Sequence, residues 1–141
     1  MVGRVVSFRD VTDRKRAEIE SQVISEIIQG VVTTSNLDEL LALVHQSVGK
    51  AIYAENFYTA LYDKQSELLH IPFCVDKFDA VSPPQKLGKG LTAYVFRRGL
   101  PTLLTEKAIL QLIDQGEIAL VGTPPAVWMG VPLRTPDGVI G

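Results

Sequence analysis

The sequence predicts an α+β fold that contains an antiparallel sheet. Three observations support this class. Two helical segments come first, at about residues 13–32 and 37–52. Two runs of strand type follow at 56–62 and 68–75, and another strand lies near the end at 126–133. Helices and strands that are grouped in this way, instead of alternating, are typical of α+β proteins.

The composition fits one ordinary domain with a short appendage. The chain has 141 residues, of which 46% are hydrophobic and 21% charged, so it can form a real core. The formal net charge of −2 favours no nucleic acid partner. The single cysteine, Cys74, excludes an internal disulfide framework and any multi-cysteine metal site. No apolar run approaches the ~18 residues that a membrane-spanning helix needs, so we expect no direct membrane contact and a cytoplasmic location.

The first eighteen residues predict a strand that leads directly into a charged helix. Apolar residues recur from Val2 to Phe8 in a pattern of strand type. The pattern then changes, and Thr12 or Asp13 can cap a helix that runs from about Asp13 to Val32.

That helix carries a short heptad-like seam. Ala17, Ile24 and Val31 are seven residues apart, and Ile27 supplies an alternate position between the last two. A seam of this length predicts two arrangements equally well. The helix either pairs with a second copy of the chain or packs within its own domain.

The second helix is strongly amphipathic. Ser35 or Asn36 is its expected N-cap, and it extends from Leu37 to about Ile52. Its apolar residues share one face. They are Leu37, Leu40, Leu41, Val44, Val48 and Ile52.

A hairpin is the next predicted unit. The strands Asn56–Tyr62 and Leu68–Val75 flank a polar turn over 63–67, which predicts antiparallel pairing. Residues 76–89, with Pro83-Pro84, are predicted to form a loop.

The last third of the chain predicts two short helices and two strands. A helix over 90–98 should end at Gly99, and Thr105 should cap a helix over 106–115. A strand over 126–133 is followed by the turn signal Thr135-Pro136-Asp137-Gly138, after which Val139-Ile140 opens another strand.

The side chains that could support catalysis do not form a recognisable set. His45 belongs to the second helix and His70 to a strand, and we expect a structural role for both. Gly88-Lys89-Gly90 lacks the spacing of a phosphate-binding loop and is interpreted as a turn that enters a helix. We therefore expect no enzyme, no metal and no cofactor.

Three segments together resemble the GAF domain, a small-molecule sensor module of bacterial signalling proteins. Residues 88–96 with Gly99-Leu100-Pro101 are similar to the GAF helix that lies over the pocket. Trp128-Met129-Gly130-Val131-Pro132-Leu133 is similar to the central GAF strand, and Gly138-Val139-Ile140-Gly141 to the start of the next one. With the 56–62 strand, the resemblance covers about residues 20–141. It implies an antiparallel sheet with helices packed on one face and a layer of loops and short helices over the pocket. It also implies that the C-terminal strands and the closing helix of a complete domain are missing from this sequence.

The opening stretch separately resembles the end of a PAS domain. Asp10-Val11-Thr12, with Arg14-Lys15 and Ala17-Glu18, is similar to the exit motif of that family. The resemblances imply three parts. Residues 1–12 would be the last strand and exit motif of a PAS domain, 13–34 a signalling linker helix, and 35–141 a truncated GAF domain. In such proteins the output domain is usually a histidine kinase of a two-component system or a diguanylate cyclase that makes cyclic di-GMP.

Two ligand classes known among GAF relatives do not match the sequence. Bilin attachment needs a cysteine in a particular context, and the neighbours of Cys74 are Phe73 and Val75, which fit neither pattern. Residues 76–80 share only part of the cyclic-nucleotide signature and lie too early in the domain. The resemblance therefore implies an unspecified small-molecule pocket between the sheet and its covering layer. The predicted lining residues are Tyr58, Phe73, Leu91, Tyr94, Val95, Trp128 and Gly130.

Two functions are therefore expected. In the first, the chain is a regulatory sensory module that binds a small ligand or relays a signal from PAS to an output domain, and it acts as a homodimer through the Asp13–Val32 helix. In the second, it is a ligand-free dimerisation or spacing module whose core is filled by side chains.

Overall fold

The structure is a computed structural model that describes residues 3–77 and 82–141; the side chains of residues 3–10 lie outside that description. The chain divides into two compact units. Unit 1 comprises Met1–Tyr58 and Phe73–Ala80, and unit 2 comprises Thr59–Pro72 and Val81–Gly141.

Unit 1 is built on a pair of helices, α1 (Gly3–Thr33) and α2 (Leu37–Ala51), which pack against each other. The short link between them carries the expected cap. The side chain of Asn36 accepts a hydrogen bond from the Glu39 backbone amide at 2.9 Å, and the Glu39 carboxylate accepts one from the Ser35 amide at 3.0 Å. These reciprocal bonds satisfy amides that a helix start leaves free, which is why α2 begins where the sequence predicts.

The predicted strand over Val2–Phe8 and the helix start at Thr12 or Asp13 are wrong. α1 already begins at Gly3, and Val2 lies outside the described residues. A strand needs a neighbour to satisfy its backbone groups, and within the described ranges none pairs with residues 3–8. A helix satisfies those groups internally, and no proline interrupts the chain between residues 3 and 33.

The predicted hairpin is confirmed. Strands β1 (Phe57–Asp63) and β2 (Leu68–Val75) are neighbours in a three-stranded sheet, with β3 (Gln85–Lys86) antiparallel to β2 on its other side. Asp63 organises the turn, since its carboxylate accepts hydrogen bonds from the Ser66 hydroxyl at 2.6 Å and from the Gln65 amide at 3.0 Å. β3 lies within the segment predicted to be a loop. Sequence analysis missed it because a two-residue strand leaves no detectable alternation in the sequence.

Unit 2 contains the two predicted short helices, α3 (Leu91–Arg98) and α4 (Glu106–Asp114). Gly99 ends α3 in the left-handed conformation with φ 62°. The Thr105 hydroxyl caps α4 by accepting a hydrogen bond from the Ala108 amide at 3.3 Å. Both helices therefore end or begin at residues that the sequence identifies.

Strands β4 (Thr102–Thr105) and β5 (Val127–Gly130) form a separate antiparallel pair in unit 2. Leu104 lies opposite Trp128, and Leu103 opposite Met129. The regular part of β5 is shorter than the predicted strand over 126–133.

The end of the chain forms a small hairpin of β6 (Arg134–Thr135) and β7 (Gly138–Val139). Just beyond β7, the Ile140 carbonyl accepts a hydrogen bond from the Tyr62 amide at 2.8 Å. The chain end thus extends hydrogen bonding to β1, in keeping with the strand predicted at Val139-Ile140.

The core of unit 2 lies between α3, α4 and the β4–β5 pair. Ile109 is fully buried at its centre, together with Leu91, Leu104 and Ile118. Helices and antiparallel strands around such a core confirm the predicted α+β class. In the part of the chain that is described, no helix is long and apolar enough to cross a membrane.

Candidate functional site

The seven predicted pocket residues are divided between the two units. Tyr58 and Phe73 belong to unit 1, and the other five belong to unit 2. Within unit 2, Leu91, Tyr94 and Trp128 lie in one cluster around Ile109. The structure therefore brings three of the predicted residues together in a packed arrangement.

Helix α3 supplies the first part of this cluster. Leu91 and Val95 are buried one turn apart, while Tyr94 is half-buried at the edge of the core. The Tyr94 hydroxyl accepts a 2.6 Å hydrogen bond from Arg98 Nη1, and the Arg98 guanidinium carbon lies 5.1 Å from the centre of the tyrosine ring. Arg98 is thus held by Tyr94, and the polar end of that tyrosine has the partner it needs.

A second arginine of α3 fixes the loop that enters the helix. Arg97 Nη2 donates hydrogen bonds to the Gly88 carbonyl at 2.6 Å and the Leu87 carbonyl at 3.3 Å. The Lys89 carbonyl accepts another from the Ala119 amide at 2.9 Å. These contacts give Gly88-Lys89-Gly90 the predicted form of a turn that enters a helix, and they direct Arg97 toward backbone carbonyls.

Trp128 and Gly130 occupy the inner face of β5. Alternation along the strand directs Trp128 toward the core and leaves Met129 exposed on the other face. The indole ring covers Gly130 so closely that an added Cβ would overlap it, with Cζ3 only 2.8 Å away. A glycine is therefore required under this tryptophan.

In unit 1, Phe73 belongs to an aromatic cluster with His45 and Phe57. The ring of His45 lies 5.1 Å from that of Phe57 and 5.9 Å from that of Phe73, measured between centroids. His45 Nε2 donates a hydrogen bond to the Ala54 carbonyl at 2.8 Å. Tyr58 alternates with Phe57 along β1 and is 38% exposed. His45 thus ties α2 to the segment before β1, which supports the predicted structural role.

The structure also contains an open groove of about 500 Å³ in unit 2. It is lined by His70, Ile71, Pro72, Ser82, Pro83 and Pro84. None of the seven predicted residues lines it. Sequence analysis missed this surface because β2 and the Pro83-Pro84 segment are brought together only by the fold. The assignment of the seven residues to a ligand site stays a prediction.

One carboxylate joins the two helices of unit 1. Glu26 on α1 accepts hydrogen bonds from the Lys50 ammonium at 2.7 Å and the Ser47 hydroxyl at 2.9 Å, both on α2, and from Gln22 at 3.0 Å on α1. These donors lower the pKa of Glu26, the largest effect coming from the hydrogen bond of Lys50. Ser47 is almost fully buried, with 2% of its surface exposed. Sequence analysis did not single out this cluster.

A second ionic cluster lies on the surface of unit 1. The Lys77 ammonium pairs with the Glu55 carboxylate, while the Lys77 amide donates to the Asn56 side chain at 3.3 Å. Hydrogen bonding by Lys77, and then by Tyr53, lowers the pKa of Glu55. The same bonds to Glu55 raise the pKa of both Lys77 and Tyr53. All three side chains are solvated, so this cluster links the end of β2 to the segment before β1 without enclosing a site.

The exposed surface of α1 is a further candidate for a functional surface. All residues from 11 to 22 are exposed, and four large apolar side chains further along, including Val32 at 83%, remain exposed outside the helix pair. Ile24 is 58% exposed, and Ile28 and Val31 are 62% exposed. We call Ile24, Ile28 and Val31 the outer stripe. Ile27, the alternate position of the predicted seam, is half-buried, shares the face of the buried Val23 and lies outside this stripe.

Within the described residues, no three histidine, cysteine, aspartate or glutamate side chains are grouped so that they could hold a metal ion.

No protein-family model and no curated protein matches the sequence. Among solved structures, the chain resembles the crystal structure of the GAF domain from Acinetobacter phosphoenolpyruvate-protein phosphotransferase. The TM-score is 0.64 at 17% sequence identity, over 90% of this chain and 73% of the other. This likeness shows that the chain has a GAF-type fold.

Proposed function

We propose that this chain is a non-enzymatic regulatory module that senses a small molecule or relays a signal through α1. The observation that carries the proposal is the exposure of α1. A helical stretch with every residue from 11 to 22 exposed obtains little stabilisation from its own chain. Isolated helices of ~12–15 residues are marginal in water, so a partner for this stretch would stabilise it.

The partner that fits best is a second copy of the chain. The outer stripe repeats at intervals of four and three residues, and Ala17 extends it by seven toward the N-terminus. Such spacing is typical of two helices that pack side by side. The homodimer places the stripe of one protomer against that of its partner.

The relay would run from a PAS domain into the GAF-type fold. Asp10-Val11-Thr12 resembles the PAS exit motif and lies within α1, which runs from Gly3 to Thr33. A continuous helix transmits a rotation or a tilt along its length. The output would be a histidine kinase or a diguanylate cyclase in a bacterial cytoplasm, and nucleic acid and membrane are not partners in this proposal.

Self-association is tested by sedimentation equilibrium of the full chain over a hundredfold range of concentration. We expect a monomer–dimer equilibrium that Ile28→Glu abolishes, because the substitution puts a charge in the apolar seam. Gln29→Glu is the matched control, since it adds the same charge to the adjacent face of α1. A parent chain that stays monomeric, or equal effects of the two variants, would exclude a dimer through the outer stripe.

Ligand sensing is tested by mass spectrometry of small molecules released from the protein after purification from cells. We expect one compound at a near-stoichiometric amount. Trp128→Phe should reduce its yield if the predicted residues line the site, whereas Trp128 packed only in the core should leave the yield unchanged.

The alternative function is a ligand-free dimerisation and spacing module. The packing of Leu91, Tyr94 and Trp128 around Ile109 favours it, because side chains that fill a core leave no room for a ligand. A dimer that carries no released compound and shows no thermal shift across a ligand screen would support this function over sensing.

A further inference from the structure

Helix α1 carries two apolar faces of the same spacing, offset by a single residue. The inner set is Val23, Ile27 and Gly30, and the outer stripe is Ile24, Ile28 and Val31. In both sets the members are four and three residues apart. Because successive residues turn by about 100° around a helix, the two faces are related by one rotation of that size.

On hydrophobicity alone, the outer stripe would be expected to pack on α2. The outer stripe has three large aliphatic side chains, while the inner set has two and a glycine. Yet the structure buries Val23 to 8% exposure and leaves Ile24 at 58%. Another interaction must therefore determine which face of α1 packs on α2.

We call the two possible rotations of α1 about its axis the observed setting, in which the inner set faces α2, and the rotated setting, in which the outer stripe faces α2. Glu26 distinguishes the two settings. In the observed setting its carboxylate receives the Ser47 hydroxyl and the Lys50 ammonium of α2. After a rotation of about 100°, Ile27 would take the place of Glu26 opposite Ser47. The buried hydroxyl would then lose its acceptor, and an unpaired buried polar group is unfavourable.

Gly30 adds a steric reason for the same choice. A Cβ at this position would lie 2.8 Å from Leu43 Cδ2, so a side chain here would have to displace the end of Leu43 or move the helices apart. In the rotated setting Val31 would occupy this contact, and the end of Leu43 would have to move aside.

We propose that Glu26 and Ser47 act as a rotational lock that selects the inner face of α1 for α2 and so keeps the outer stripe available to a second copy. Releasing the lock would favour the rotated setting, in which the outer stripe packs on α2 and is lost to the partner. The use of the lock in signalling rests on the proposed homodimer, but the rotational preference is a property of one chain.

The test measures thiol reactivity at single positions of the full chain, in a Cys74→Ser background. Val23→Cys reports on the inner face and Ile24→Cys on the outer stripe. Rates are measured at dilutions where they no longer depend on protein concentration, so that dimer formation does not contribute. With Glu26 present, we expect Ile24→Cys to react about tenfold faster or more, because the buried thiol reacts only after local opening.

Adding Glu26→Ala should reverse this order, with the Val23→Cys thiol becoming the faster one. Glu18→Ala is the matched control, because Glu18 lies on the same helix, is exposed and pairs with the exposed Arg14 at 3.9 Å. We expect it to leave the ratio of the Ile24→Cys rate to the Val23→Cys rate unchanged. An unchanged ratio in Glu26→Ala would overturn the proposal, and so would equally fast reaction at both positions, which indicates loosening without rotation.

Ser47→Ala provides a second variant if Glu26→Ala loses helicity by circular dichroism. It removes the buried hydroxyl that favours packing of the inner face on α2. The rate at Ile24→Cys divided by the rate at Val23→Cys should therefore fall in this variant. An unchanged ratio would show that Ser47 has no such role. A reversed ratio in a chain that never dimerises would uphold the lock and exclude the homodimer, so the two proposals fail separately.

Discussion

Gly30 of α1 lies directly against Leu43 of α2, and a Cβ built on the glycine would stand 2.8 Å from Leu43 Cδ2 and 3.0 Å from Leu43 Cδ1. The contact is with the far end of a flexible side chain, so a small substituent can be accommodated. A larger one would have to move the helices apart. The spacing of the helix pair therefore depends on the size of this residue.

Gly30→Leu should destabilise the chain by about 1–3 kcal/mol through overpacking, measured as the free energy of unfolding in urea. Gly30→Ala should change it by less than about 1 kcal/mol, because improved helix propensity offsets a small shift of Leu43. Gly49→Leu is the control, since a Cβ added at Gly49 of α2 would meet no described atom within 4 Å apart from its own stretch of helix backbone. Equal destabilisation by Gly30→Leu and Gly49→Leu would show that the helices do not approach at Gly30.

Ile109→Ala should be the most destabilising truncation in unit 2. Ile109 is fully buried between Leu91, Leu104 and Ile118, so its removal leaves a cavity. Such a substitution costs about 2–5 kcal/mol. Leu110→Ala, next to it on α4 and 46% exposed, should cost less than half as much. Thermal unfolding of the two variants checks this difference, and similar melting temperatures would contradict the assigned core.

The turn between β1 and β2 should make the hairpin sensitive to acid. Hydrogen bonds from the Ser66 hydroxyl and from the backbone amides of Gln65 and Ser66 lower the pKa of Asp63 below its usual 3.8. A carboxyl group whose pKa is lowered on folding stabilises the folded state above its unfolded pKa. That stabilisation is lost as the pH falls through the folded pKa.

Asp63→Asn should therefore lower the urea midpoint at pH 7 and reduce the loss of stability between about pH 4 and pH 2. Asp137→Asn is the comparison, since Asp137 also lies in a hairpin turn, between β6 and β7. The two variants should differ at pH 7 and converge toward pH 2. Coincident stability curves for the parent and Asp63→Asn at every pH would show that the Asp63 carboxylate contributes nothing to the turn.

The parts of the fold that sequence analysis predicts are those that local chemistry determines. Asn36, Gly99 and Thr105 mark helix ends because each satisfies backbone groups of its own helix. The strand expected over Val2–Phe8 fails for the opposite reason, since pairing depends on a distant neighbour.

Local sequence patterns do not predict which face of α1 packs on α2, nor whether the candidate site encloses a cavity. A heptad count cannot distinguish Ile27 from Ile28, because the choice depends on Glu26 meeting Ser47 and Lys50, more than 20 residues away. Likewise, the resemblance to GAF domains names pocket residues such as Tyr94 and Trp128, but whether they enclose a cavity depends on how their neighbours pack.

Gly130→Ala should disturb Trp128 directly, because the indole covers the glycine and an added Cβ would lie 2.8 Å from Cζ3 and 3.2 Å from Cζ2. The rigid ring cannot yield as an aliphatic chain end can, so we expect a loss of about 1–3 kcal/mol in stability. Trp128 is the only tryptophan, and its fluorescence therefore reports on this position alone. The emission maximum should shift to longer wavelength as the ring is displaced toward solvent. Gly88→Ala, where an added Cβ would meet no atom of the described residues within 4 Å apart from its chain neighbours, should leave the emission unchanged. If Gly130→Ala kept the parent emission and stability, Trp128 would not lie over Gly130, and its assignment to the core beside Leu104 would have to be abandoned.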